Sequence, residues 1–145
     1  MYEFMNYQVR DVMSHPESIG PEASLGDAER VLEKNGFNAL PVVDGDEQLV
    51  GVVTTLDLLK AFAFNEETIL PAYDDIMRRP IVSIMSREPA TVPPRQPLTR
   101  TLQKMIDTRN KSFPVVDDGR LVGVVAREDV MRGLRRADAG ERPAE

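Results

Sequence analysis

The spacing of apolar residues in this chain switches between a helical period and short strand-like runs, and the cycle runs twice. Leu25, Ala28, Val31 and Leu32 fall on one face of a helix that Ser24 is suited to cap and Gly36 to stop, so a helix is predicted to end near residue 35. Residues 39–43 and 49–53 are short apolar runs on either side of a polar, acidic turn, which predicts a hairpin. A second helix is expected from Thr55 to about residue 64. The scheme then recurs. Leu98, Leu102, Met105 and Ile106 form a helical face, residues 112–116 and 121–125 read as strands joined by the turn signal Asp118-Gly119, and a closing helix runs from Arg127 to about residue 136. Residues 1–8 read as an arm or short helix with Tyr2, Phe4, Met5 and Tyr7 available to pack. Residues 65–80 join the two halves, with a helical turn at 74–79, and residues 137–145 lack an apolar pattern and are expected to be a disordered tail.

The two cycles are copies. Leu40-Pro41-Val42-Val43-Asp44 followed by Leu49-Val50-Gly51-Val52-Val53 returns as Phe113-Pro114-Val115-Val116-Asp117 followed by Leu121-Val122-Gly123-Val124-Val125, with one residue fewer in the turn. Val12-Met13-Ser14 returns as Ile84-Met85-Ser86, and Asp57 as Asp129. Each copy is too small to bury an apolar strand face alone, so two sheets are expected to share a core. The stretch from Gly51 to Asp57 carries the candidate chemistry. Thr54 and Asp57 stand at N-cap and N3 of the predicted helix, where they can close a capping box. Alternatively, helix-start amides favour a phosphate and the carboxylate can accept both hydroxyls of a ribose.

Composition removes several classes. The chain has 145 residues, 41% apolar and 29% charged, which is ordinary for a globular protein. No apolar run approaches the roughly 20 residues of a membrane span, and the start Met-Tyr-Glu-Phe-Met has no signal-peptide pattern, so a cytoplasmic protein is expected. There is no Cys, which excludes disulfides, thiolate metal sites and Cys nucleophiles, and His15 is the only His, so no metal site is expected. The acidic turn at 44–47 lacks the spacing of a calcium loop. A Ser-His-Asp set, a P-loop and a metal cluster are all missing from the sequence, so no catalytic residues are assigned.

Charge divides the copies. Residues 1–75 hold 4 Lys and Arg against 15 Asp and Glu, a net −11, whereas residues 76–145 hold 14 against 9, a net +5. This asymmetry suits packing between the copies or on a partner subunit, and it also lets the second half offer cations to an anionic ligand. The basic residues are scattered with few aromatics among them, which argues against nucleic acid as a partner.

The ordered set of motifs, repeated in register, resembles a tandem pair of cystathionine beta-synthase (CBS) domains, a Bateman module. It covers residues 9–62 and 81–134, with residues 63–80 as the joint. The resemblance implies an α/β (α+β) fold of two β-α-β-β-α repeats packed about a pseudo-twofold axis. It also implies a stand-alone regulatory module with no required cofactor. Such a module binds AMP, ADP, ATP or S-adenosylmethionine in clefts between the copies and passes occupancy to an effector protein. Carried over by position, Val52, Thr54 and Asp57 would serve one cleft, with Ile84 and Met85 beside the base and Asn110 and Lys111 near the phosphates. The mirror cleft would use Val124 and Asp129 with Val12, Met13, Phe37 and Asn38. Here Ala126 departs from the pattern by replacing the Thr, and Arg127 is the residue able to offset that loss by folding over the cleft. The Thr54 and Asp57 cleft is therefore expected to bind more tightly. A homodimer is expected through Leu58, Leu59, Phe62, Val130, Met131 and Leu134. The alternative is a scaffold or dimerisation module with empty clefts.

Overall fold

The computed structural model describes residues 1–63 and 72–144, which form two compact units. One comprises residues 1–16 and 90–145, the other residues 17–89. The expected helix end near residue 64 lies outside the described residues.

In the unit of residues 17–89, α1 (Leu25–Asn35) starts at a complete capping box, Ser24 Oγ accepting from Asp27 N at 3.1 Å and Asp27 Oδ2 from Ser24 N at 3.0 Å. It stops at Gly36, whose φ of 64° is the left-handed conformation that glycine adopts without cost. Strands β1 (Ala39–Val43) and β2 (Leu49–Thr54) pair as an antiparallel hairpin with an irregularity at Val42/Val43. Pro41 contributes no N–H to the sheet, and its free carbonyl takes the Ile19 N–H at 3.1 Å instead. Helix α2 (Thr55–Lys60) follows β2 directly and closes with a turn at Ala61, shorter than the predicted second helix. Helix α3 (Tyr73–Met77) is the helical turn expected in the joint. Leu25, Ala28, Leu32, Leu40, Val42, Val53, Leu58, Ile76, Ile81 and Met85 form the buried core.

The unit of residues 1–16 and 90–145 repeats this plan. Helix α4 (Leu98–Thr108) precedes the hairpin of β3 (Ser112–Asp117) and β4 (Arg120–Ala126), which runs into α5 (Arg127–Asp138). Asp118 and Gly119 have φ of 53° and 82°, the pair of positive values that a two-residue hairpin turn requires. Phe4 and Tyr7 of the arm enter the core with Val9, Val12, Leu98, Phe113, Val125 and Val130. Tyr2 and Met5 remain exposed, because the arm is a 3-10 turn over Tyr2–Asn6 and turns those two side chains to solvent. Ile106, assigned from its spacing to the inner face of α4, is likewise exposed, at 61%.

Two expectations change. The opening stretch of each copy is not a strand: Val9–Asp11 and Ile81–Ser83 are 3-10 turns, and each is followed by a single bridging residue. Ser14 bridges Val124 of β4, and Ser86 bridges Val52 of β2, so each opening stretch completes the hairpin of the other copy. The C-terminal stretch is also tethered. Helix α5 extends to Asp138 with Ala137 buried, the Tyr7 hydroxyl donates to the Glu141 carbonyl at 3.0 Å, and Arg136 Nε pairs with Glu141 at 3.2 Å.

Candidate functional site

Within the unit of residues 17–89, the end of β2 and the start of α2 place Thr54 and Asp57 in a reciprocal cap. Thr54 Oγ1 accepts from Asp57 N at 3.0 Å, and Asp57 Oδ2 accepts from Thr54 N at 2.9 Å. The Asp57 side chain is held at a nearly buried position, 8% exposed, with the Ser86 hydroxyl 3.4 Å from both of its oxygens. Ser86 arrives there because its backbone makes two bonds with Val52, N–H to Val52 O at 2.8 Å and O from Val52 N at 2.9 Å. Val52 and Met85, the residue before Ser86, are both buried, and Ile84 is half-buried one residue earlier. Gly51 makes the approach possible, since a Cβ there would lie 2.8 Å from both Met85 Sδ and Ser86 O.

In the other unit, Asp129 holds the same place at the start of α5 and is 5% exposed. Its Oδ2 accepts from Ala126 N at 2.8 Å, so the carboxylate half of the cap survives although Ala126 has no hydroxyl to return. Ser14 Oγ donates to Asp129 Oδ1 at 3.1 Å, and Ser14 bonds Val124 through N–H to O at 2.9 Å and O from N at 3.1 Å. Val12 is buried nearby in the core, Met13 packs against that core, and Val124 is half-buried. Arg132 supplies a contact with no counterpart among the described residues of the first copy: its Nη2 donates to Asp129 Oδ1 at 2.9 Å and to the Val12 carbonyl at 2.6 Å.

The Asn38 carbonyl takes the Thr55 N–H at 3.0 Å, and the Lys111 carbonyl takes the Arg127 N–H at 3.1 Å, so these two backbones anchor equivalent helix starts. The Lys111 side chain is exposed, Asn110 is half-buried, and Phe37 is 43% exposed. Arg127 does not turn to Asp129. Its guanidinium donates to the carbonyls of Arg109 at 2.7 Å and Asn110 at 3.3 Å. Ser14 and Ser86, which their in-register repetition marks in the sequence, and Arg132, which no sequence pattern marks, also reach the two carboxylates.

No group of three or more His, Cys, Asp or Glu able to hold a metal occurs among the described residues, nor does a helix long and apolar enough to cross a membrane. Two hairpin-and-helix units, each with a buried aspartate at a strand-to-helix junction, define a tandem-repeat module of mixed helix and strand. The family model for the CBS domain matches residues 9–64 and 74–136, and the chain belongs to that family. A CBS domain-containing protein of Dictyostelium discoideum is 31% identical over 131 residues, covering 88% of this chain and 90% of that protein. The L-aspartate semialdehyde sulfurtransferase of Methanocaldococcus jannaschii is 34% identical over 126 residues, but these are 86% of this chain and only 22% of the enzyme. Among solved structures, CBSX2 of Arabidopsis thaliana in complex with AMP superposes with a TM-score of 0.78 at 28% identity, covering 91% of this chain and 98% of that one. The CBS domain pair of protein MJ0100 in complex with 5'-methylthioadenosine and S-adenosyl-L-methionine gives 0.69 at 33% identity, covering 87% and 98%.

Proposed function

We propose that this protein is a regulatory module that binds an adenosyl ligand, AMP, ADP, ATP or S-adenosylmethionine, and passes occupancy to a partner. The observation that carries this reading is the Asp57 carboxylate. Among the described residues its Oδ1 receives only the long contact from Ser86, whose backbone is bonded to the buried Val52, and this leaves the oxygen able to accept from a ribose hydroxyl. The complexes of CBSX2 and of the MJ0100 domain pair support the ligand class. The module does no chemistry of its own in this reading. Relatives named as enzymes, such as the M. jannaschii sulfurtransferase and the homoserine O-acetyltransferase of Methanohalobium evestigatum, are matched over 22% and 26% of their lengths, the size of an accessory module.

A thermal-shift panel of AMP, ADP, ATP and S-adenosylmethionine, followed by calorimetry on the ligand that stabilises most, tests the reading. Asp57→Ala should abolish the tighter site, and Asp129→Ala should leave it largely intact. A tight site that survives Asp57→Ala, or turnover of the bound nucleotide, refutes it. Of the residues expected at a dimer contact, Leu58 and Val130 are buried in the cores and Phe62 and Leu134 pack against them, but the exposed Leu59 on α2, at 64%, and Met131 on α5, at 53%, favour a homodimer as the working form. A module that takes none of the four ligands and only dimerises is the scaffold alternative.

A further inference from the structure

The two buried aspartates hold equivalent positions in the repeat, but their oxygens are unequally engaged. Asp57 Oδ2 accepts a firm backbone bond from Thr54, and Ser86 stands at the 3.4 Å limit from each oxygen, so Oδ1 has a lone pair to offer. Asp129 has no such reserve on Oδ1. Ser14 Oγ at 3.1 Å and Arg132 Nη2 at 2.9 Å use both acceptor directions of that oxygen, while Oδ2 takes the Ala126 N–H. The cause is one residue. Three places after Asp57 stands Lys60, which makes no ion pair with Asp57 among the described residues, and three places after Asp129 stands Arg132. The Val12 carbonyl fixes the Arg132 guanidinium in place at 2.6 Å, so its planar fork is already oriented for the carboxylate.

We propose that Arg132 is a built-in competitor that occupies Asp129, holds the Asp129 site at low affinity for an adenosyl ligand, and so sets the inequality between the two sites. A ribose hydroxyl that reaches Asp129 Oδ1 must displace a hydrogen bond between two opposite charges with one in which only the carboxylate is charged. At Asp57 it displaces only the long Ser86 contact. This inference rests on the proposed function.

The test is calorimetry of the full chain with AMP and with S-adenosylmethionine, in an Asp57→Ala background so that only the Asp129 site is read. Arg132→Ala should tighten binding at least about tenfold, the equivalent of one charge-assisted contact. The reciprocal Lys60→Arg, read in an Asp129→Ala background, should weaken the Asp57 site by a similar factor, and it decides the matter should Arg132→Ala fail to fold. Unchanged or weaker binding in Arg132→Ala shows that Arg132 serves the ligand or is neutral, and it overturns the inference while leaving the proposed function standing. Unchanged binding in Lys60→Arg overturns it in the same way. Failure of AMP, ADP, ATP and S-adenosylmethionine alike to bind the wild-type protein and every variant overturns both readings.

Discussion

Replacing Gly51 with alanine adds one methyl group where two segments already touch. The new Cβ would stand 2.8 Å from Ser86 O and 2.8 Å from Met85 Sδ. An ordinary carbon-to-oxygen approach is about 3.3 Å or more, so the Ser86 carbonyl has to retreat by roughly half an ångström. That carbonyl is the acceptor of the Val52 N–H at 2.9 Å, and Met85 is buried in the core, so neither neighbour can yield freely. Overpacking of this kind costs about 1–3 kcal/mol, and weakening the Val52 bond adds up to about 1 kcal/mol. Stiffening of the unfolded chain by alanine returns about 0.4–1 kcal/mol. The net expectation is a loss centred on about 2 kcal/mol, a sizeable part of the 5–15 kcal/mol typical of a domain. Gly123→Ala is the internal control. Its Cβ would meet Met13 Sδ at 2.6 Å, the far end of a flexible side chain that is only partly buried, and Ser14 O at a looser 3.2 Å. Its cost should be smaller by about 1 kcal/mol. Urea denaturation followed by circular dichroism measures the difference, and amide exchange at Val52 reports the local opening directly. A Gly123→Ala loss equal to or larger than that of Gly51→Ala, or an unchanged Val52 exchange rate in Gly51→Ala, refutes the reasoning.

The cap asymmetry gives a matched pair: Thr54→Ala should cost about 1 kcal/mol, and Ala126→Thr, at nearly the same backbone angles, should gain about 0.5–1 kcal/mol in the same urea assay. Asp27 supplies a pH dependence. The Ser24 backbone N–H and then the Ser24 hydroxyl hold its carboxyl below the usual aspartate value against an opposing effect of burial, and Arg30 lowers it further. A lowered value in the folded chain means stability that is present above the unfolded value of about 3.9 and lost as pH falls through the folded one. Asp27→Asn should therefore melt below the wild type at neutral pH, with the gap closing below about pH 4, and a gap that widens in acid would contradict this. Sedimentation velocity at tens of micromolar, on the order of typical assay concentrations, should show a dimer that Leu59→Glu together with Met131→Glu converts to monomer. A wild-type monomer under these conditions removes the dimer from the proposal.

Elements whose cause is local were legible in the residues. The capping box at Ser24 and Asp27, the left-handed stop at Gly36, the Asp118-Gly119 turn and the box at Thr54 and Asp57 each depend on a few consecutive positions and the backbone angles they favour. The short apolar runs flanking turn signals similarly identified β1 to β4 to within one residue at each end. Helical spacing was less reliable where it had to choose a face, as Ile106 shows, because a period of 3.6 names a stripe but not its width.

Pairing between distant segments was not legible in the same way. Val12-Met13-Ser14 and Ile84-Met85-Ser86 carry equivalent patterns, so nothing in their own residues says which hairpin each one joins; the family resemblance, rather than the pattern, pointed to the exchange. Sequence alone likewise assigned no role to Lys60 or Arg132. Only the fold, by bringing the Val12 carbonyl from 120 positions away to the guanidinium, turned Arg132 onto Asp129. The same applies to the C-terminal stretch, whose polar composition predicts a free tail until the Tyr7 hydroxyl, 134 positions earlier, is found bonded to the Glu141 carbonyl. Local propensity acts through neighbouring dihedral angles and is written into short runs of residues. Long-range pairing depends on which surfaces the assembled core brings together, and only the tertiary structure decides that.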